Sequence, residues 1–207
     1  MQATMQSSRA GFTLIETMVA ITILTFAMAG PMFTASRAIV AAQTARDQLT
    51  AIYLAQEGIE RVRAMRDNAY LAAYHTGGAD ISSTAWSDFI TGSGSASISR
   101  CITSNDAPNA CTLDSVGDGS LEQCIAADSC EPLYLTGCTN GPEGLSCTPP
   151  NMYTQRDLPG SVLSPFVRTI QATIITPHEV KIVSTVSWTY HNTPYSVMVS
   201  DHLSSWH

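Results

Sequence analysis

The chain has 207 residues, ten Lys and Arg against seventeen Asp and Glu, a formal net charge of −7 and only 13% charged residues. That length holds one domain of moderate size plus an appendage. The acidic balance argues against a nucleic-acid partner, which favours a basic face, and no HExxH, GxSxG or phosphate-loop pattern marks an enzyme.

Residues 9–16 read RAGFTLIE, and residues 17–36 add twenty uncharged residues, TMVAITILTFAMAGPMFTAS. At about 1.5 Å each, twenty helical residues span about 30 Å, the thickness of a bilayer core. Arg9 and Arg37 flank the run, so the charge signal for orientation is weak. Three readings are open. A secretory signal peptide would be cut near Ala27-Met28-Ala29, before Gly30. A plain membrane anchor leaves Glu16 unexplained, because a carboxylate within a spanning segment is unfavourable unless it is paired or near the interface. Cleavage after Gly11 gives Glu16 a partner: the new amine of Phe12 would be cationic, with a reference pKa a little below 8. Glu16 would then be the fifth residue of a helix, and residues four apart share a face.

GFTLIE followed by about twenty apolar residues resembles the class III signal of type IV prepilins and type II secretion pseudopilins. The resemblance implies cleavage after Gly11 by a prepilin peptidase, methylation of Phe12, and a role for Glu16 in subunit assembly. It also implies an inner-membrane assembly platform, other pilin or pseudopilin subunits and, before assembly, the lipid bilayer as partners. One departure is Ala10, which stands between Arg9 and Gly11, where many members have a basic residue. Glu16 pairs either with its own amine or with that of a neighbouring subunit. Opposite charges about 4 Å apart attract by about 4 kcal/mol at an effective dielectric of about 20, so an intersubunit pair would set axial register.

Beyond Arg37, Leu49, Ile52, Ala55, Ile59 and Val62 recur at helical spacing. One helix is expected from about Phe12 to about Asn68, with Glu57 and Arg61 paired on its exposed side. Pro31 and Gly30 disturb it, either as a kink or as a segment that unwinds on extraction into a filament, as the resemblance implies. Gly58 would only permit gentle bending. The stretch LAQEGIERVRAMRDN at 54–68 is similar to minor pilins of the PilV-like group and related minor pseudopilins.

Residues 76–160 are poor in large apolar side chains, and stretches such as TGGADISSTAW read as loop. Short strands are expected around Ser97–Ile102 and Leu133–Leu135. Cys101, Cys111, Cys124, Cys130, Cys138 and Cys147 cluster here, which suits disulfides in an oxidising compartment. Sequential pairing is the simplest of the connectivities, and sequence does not choose among them. The spacings suit zinc poorly and hold no CxxC. Within DSVGDGSLE, Asp114, Asp118, Ser120 and Glu122 offer oxygen ligands for calcium, but the spacing is not that of an EF-hand and a solvated turn with an acidic rim is the preferred reading.

From Phe166 the texture becomes β: FVRTIQATII (166–175), VKIVSTVSWTY (180–190) and YSVMVSDHL (195–203). Val180, Ile182, Val186, Trp188 and Tyr190 share a face, so a three- or four-stranded antiparallel meander is expected to wrap the Leu49–Val62 helix face. TPHE and HNTP read as hairpin connections, the second centred on Asn192-Thr193, which sets His202 opposite Val183. His75, His178, His191, His202 and His207 are scattered.

The expected architecture is α+β and pilin-like. A leader (1–11) and a transmembrane or filament-core helix (12–36) precede an amphipathic head helix (37–75), a Cys-rich loop region (76–160) and an antiparallel sheet (161–207). The expected role is a minor pilin or pseudopilin without cofactor. Two rivals remain: a secreted disulfide-rich binding or adhesion domain that loses residues 1–29 as a signal peptide, and a filament-tip adhesin that contacts its ligand through the Cys-rich region.

Overall fold

The computed structural model describes residues 11, 13–94, 97–103, 109–114, 119–124, 130–141, 144–147 and 152–205, giving the backbone alone at 138–141 and 144–147. The chain divides into two units, Met1–Asp47 and Gln48–His207. Helix α1 (Leu14–Thr76) is followed by α2 (Ile81–Thr91) and a 3-10 turn at Ser99–Cys101. The strands are β1 (Ala110–Leu113), β2 (Leu121–Cys124), β3 (Tyr134–Leu135), β4 (Cys138–Gly141), β5 (Gly144–Cys147), β6 (Tyr153–Thr154), β7 (Val162–Leu163), β8 (Val167–Thr176), β9 (Glu179–Tyr190) and β10 (Thr193–Ser204). The architecture is α+β: a long N-terminal helix, an antiparallel C-terminal meander and disulfides in the region between.

In the first unit, the described apolar side chains of α1 face outward. Leu14, Ile15, Phe26, Met28 and Phe33 are all exposed. In the second unit, α1 lays Ala51, Leu54, Ala55, Gly58, Ile59, Val62, Met65, Ala69 and Ala73 into the core. This corrects the expected stripe: Leu49 is exposed and Ile52 only half-buried. It also moves the end of the helix from Asn68 to Thr76. Ala69 and Ala73 continue the buried face, too small to register as an apolar stripe, and Gly77 (φ 69°) stops the helix in the left-handed conformation that glycine favours.

Five antiparallel strands form the main sheet in the order β10-β9-β8-β1-β2, with β10 and β2 at its edges. The meander of three strands is as the alternation predicts, but β1 and β2 from the presumed loop region extend it. Val180, Ile182, Ser184, Val186 and Trp188 form the inward face of β9. The β9–β10 turn centres on His191 and Asn192, both at positive φ (48° and 62°), two residues that match the twist of a hairpin. His202 therefore stands opposite Lys181, not Val183.

The second unit holds a core in two parts. Ile59, Val62 and Met65 meet Trp86, Phe89, Ile98, Leu113, Ile170 and Ile182 in one. Ala51, Leu54 and Ala55 meet Leu133, Phe166, Val186 and Trp188 in the other. Helix α2 overturns the loop reading of TGGADISSTAW. Asp80 caps it by accepting from the Ser83 N–H at 3.1 Å, and Ala85, Trp86, Phe89 and Ile90 fall on one buried face. Trp86 Nε1 donates to the Pro177 carbonyl at 2.8 Å and ties α2 to the β8–β9 turn. Ser97–Ile102 forms the 3-10 turn and an isolated bridge from Ile102 to Ala172 in place of a strand, whereas β3 occupies Tyr134–Leu135.

Candidate functional site

Gly11 is exposed and precedes the helix; Phe12 and residues 1–10 lie outside the described residues. The Thr13 carbonyl accepts from the N–H groups of Glu16 (3.0 Å) and Thr17 (3.2 Å), which starts the helical turn. Glu16 sits in that first turn, exposed, where a carboxylate meets the positive end of the helix dipole. Glu16 thus stands in the opening turn of the helix, five positions after Gly11 in the sequence.

The segment that follows is apolar enough, over a long enough stretch, to cross a membrane, and none of its apolar window is buried within the protein. Its hydroxyls are handled internally. Thr17, Thr22, Thr25, Thr34 and Ser36 each donate to a carbonyl three residues earlier, at 2.8–2.9 Å. In lipid, where no water accepts a hydrogen bond, such back-bonding removes the penalty of an unmade donor. The helix continues through Gly30 and Pro31. Proline leaves the Ala27 carbonyl without its usual donor, so the helix is locally weaker there. The Arg37 guanidinium lies over the Phe33 ring, 5.0 Å from its centroid, so the sole charge between Glu16 and Arg46 rests on an aromatic face.

The head holds α1 by contacts that sequence reading missed. Arg168 is fully buried. Its Nη1 donates to the Glu57 carboxylate at 3.0 Å and the Leu54 carbonyl at 3.2 Å, and its Nη2 donates to the Leu113 carbonyl at 2.7 Å. Burial pulls the guanidinium below its ordinary pKa, while Glu57 and then Asp114 pull it back up. Glu57 therefore serves Arg168 across the helix–sheet junction, not Arg61 along the helix. The helix approaches closely because position 58 is glycine. A Cβ there would lie 2.6 Å from Ser184 Oγ and 2.9 Å from Ile170 Cδ1. Gly58 is a packing notch, which corrects its reading as a point of bending. The sequence did carry a signal: Phe166, Arg168, Ile170 and Ala172 alternate in phase, so the arginine occupies an inward position.

The cysteine region is tied at two described points. Cys101 bonds Cys111, linking the 3-10 turn to β1, and Cys124 bonds Cys130. Cys138 and Cys147 are paired in backbone register across β4 and β5, and their side chains lie outside the described ones. Asp114 is buried; it accepts from Thr154 Oγ1 at 2.9 Å and pairs with Arg156 Nε at 2.7 Å. Glu122 is exposed on β2, and Asp118 lies outside the described residues. Among the described residues, no three or more His, Cys, Asp or Glu gather as a metal site would require.

Residues 6–30 match the family model of the prokaryotic N-terminal methylation motif. No curated protein and no solved structure matches the chain. The matched residues take in Gly11, Phe12 and Glu16 and run to Gly30, within the exposed apolar helix. The motif and that helix are compatible with a membrane-anchored precursor. The motif itself implies processing by prepilin peptidase and assembly with other pilins. The chain therefore carries a type IV prepilin-like class III signal.

Proposed function

We propose that this protein is a minor pilin or pseudopilin of the PilV-like kind, assembled into a type IV pilus-like filament or a type II secretion pseudopilus. The observation that carries the reading is the conjunction of the methylation motif at residues 6–30 with an apolar helix segment that is exposed among the described residues. Burying a Leu or Ile side chain is worth about 1.5–3 kcal/mol, so such a helix drives association with lipid first and with like helices afterwards. The precursor waits in the inner membrane. Cleavage after Gly11 frees the Phe12 amine, and Glu16 of one subunit pairs with the amine of the next. Apolar contact supplies cohesion, and the single ion pair supplies register.

The test is the mass of the N-terminal peptide of protein isolated from its native cells. A monomethylated Phe12 terminus is expected. A terminus at Gly30 would instead establish a secreted domain released by an ordinary signal peptidase. Glu16→Ala should be processed normally and yet be depleted from sheared filaments; normal incorporation would remove the register role.

A further inference from the structure

In the head, the outward side of α1 borders a groove of about 390 Å³ lined by Thr50, Tyr53, Leu54, Glu57, Met152 and Tyr153. Its walls are largely apolar: Tyr53 is 69% exposed and Met152 37% exposed. The acid among its lining residues is Glu57, whose side chain remains 41% exposed while its Oε2 accepts from Arg168. A site of this kind asks for an apolar or aromatic body that carries one cation.

The chain itself offers that unit. Arg37 is the sole charged residue between Glu16 and Arg46, and its guanidinium lies over the exposed ring of Phe33. We propose that the Phe33–Arg37 unit of a second copy of this chain docks in the groove beside Glu57. The proposal rests on the filament reading and adds a self-contact to it. Phe33 and its flanking apolar surface meet Tyr53, Leu54 and Met152, and Arg37 pairs with Glu57. The Glu57 carboxylate then serves two guanidiniums, its own Arg168 and the neighbour's Arg37, well within the roughly four lone-pair sites of a carboxylate. An ion pair sheltered by apolar walls is stronger than one in open water and fixes which partner surface fits.

The contact is heterologous: residues 33–37 of one copy meet residues 50–57 of another. Each copy has both halves, so the contact can form without closing wherever two copies lie side by side. Matching Arg37 to Glu57 sets the two copies twenty residues out of step, so this partner lies farther along than the subunit whose Phe12 amine meets Glu16 at a step of four residues.

The experiment uses the full chain in its native cells. Two singly substituted forms with different tags, Ser36→Cys beside the Phe33–Arg37 pair and Thr50→Cys at the groove's edge, are co-expressed and oxidised with copper–phenanthroline, and sheared filaments are run on non-reducing gels. A doubly tagged dimer is expected, absent when either cysteine is omitted. Adding Arg37→Glu should reduce it by at least about tenfold, the loss that follows from setting two like charges together in a sheltered contact. Protein present in filaments without the dimer overturns this contact and leaves the filament reading standing; it would mean that the groove receives a different subunit. A dimer indifferent to Arg37→Glu overturns the ion pair. Protein absent from every filament, with an unprocessed N-terminus, overturns the filament reading itself and this contact with it.

Discussion

Arg168 and Glu57 join strand β8 to helix α1 through a 3.0 Å hydrogen bond, with the arginine wholly buried and the glutamate 41% exposed. The two ends are unequal in consequence. Removing the arginine leaves a cavity and takes the donor from the Leu113 carbonyl, whereas removing the glutamate's charge leaves a cation still held by two carbonyls.

Arg168→Ala should therefore destabilise the head by about 3 kcal/mol, in the range for breaking a buried pair. Glu57→Gln should cost about 1 kcal/mol, since its carboxylate is partly screened by water. Urea unfolding of the detergent-solubilised full chain, followed by tryptophan fluorescence, measures both. Equal losses would show that the charge, and not the buried guanidinium's packing, holds the junction.

Gly58→Ala sets a helix-propensity gain of about 1 kcal/mol against an overpacking loss of about 1–3 kcal/mol. The near contacts with Ser184 and Ile170 make the loss the larger effect, so a net destabilisation is expected. Ser184 Oγ is buried and has no hydrogen-bond partner among the described residues. Ser184→Ala alone should thus be neutral or mildly stabilising. The double variant should recover about 1 kcal/mol of the Gly58→Ala loss. Simple additivity of the two changes would exclude the steric account.

The two described disulfides should differ in susceptibility to reductant. Cys101 and Cys111 are wholly buried in the main core cluster, while Cys124 and Cys130 sit in a smaller one and retain slight exposure. Chain entropy gives about 2.7 kcal/mol for a ten-residue loop and about 2.2 kcal/mol for a six-residue one. Under graded dithiothreitol and rapid alkylation, Cys124–Cys130 should be labelled first. Prior labelling of Cys101 and Cys111 would show that the core opens before the loop.

Acid should weaken the bond between α1 and β10. Arg63 Nε donates to Asp201 Oδ2 at 2.9 Å. Burial pushes the Asp201 pKa up, but the Arg63 hydrogen bond, the His202 backbone N–H and nearby positive charge bring the net value below the usual carboxylate range. A depressed folded pKa means that the unfolded chain binds more protons in acid, so the contribution is complete above the ordinary carboxylate pKa of about 3.9 and fades below it. With both partners partly exposed the effect is small. The unfolding midpoint should hold steady from neutrality to about pH 4 and then decline, with Asp201→Asn flattening part of that decline. An unchanged profile in the variant would dismiss this pair as a source of acid sensitivity.

The sequence announced its N-terminus and its meander because both are written in repeating, local patterns: an unbroken apolar run beside GFTLIE, and strict alternation from Phe166 onward. It hid the middle of the chain. Trp86 and Phe89 lie among serines, and their periodicity shows only once Asp80 is taken as a cap. Strands β1 and β2 are short; β2 is held by β1, and β1 by β8 far along the chain, a long-range relation that local propensity does not express. Arg168 and Gly58 were legible only in combination. An inward-phase arginine signifies little until a helix bearing Glu57 comes close enough to receive it, and that approach depends on Gly58, the residue beside Glu57 and 110 positions before Arg168 in the sequence.

Strand β10 is the outermost strand on its side of the sheet, yet it keeps an aspartate turned toward the helix and a proline, Pro194, near its start. A foreign strand laid alongside would meet a carboxylate already claimed by Arg63 and a position with no amide hydrogen to give. The raw β edge of the head is thereby guarded against amyloid-like growth by features that cost the sheet nothing in its interior.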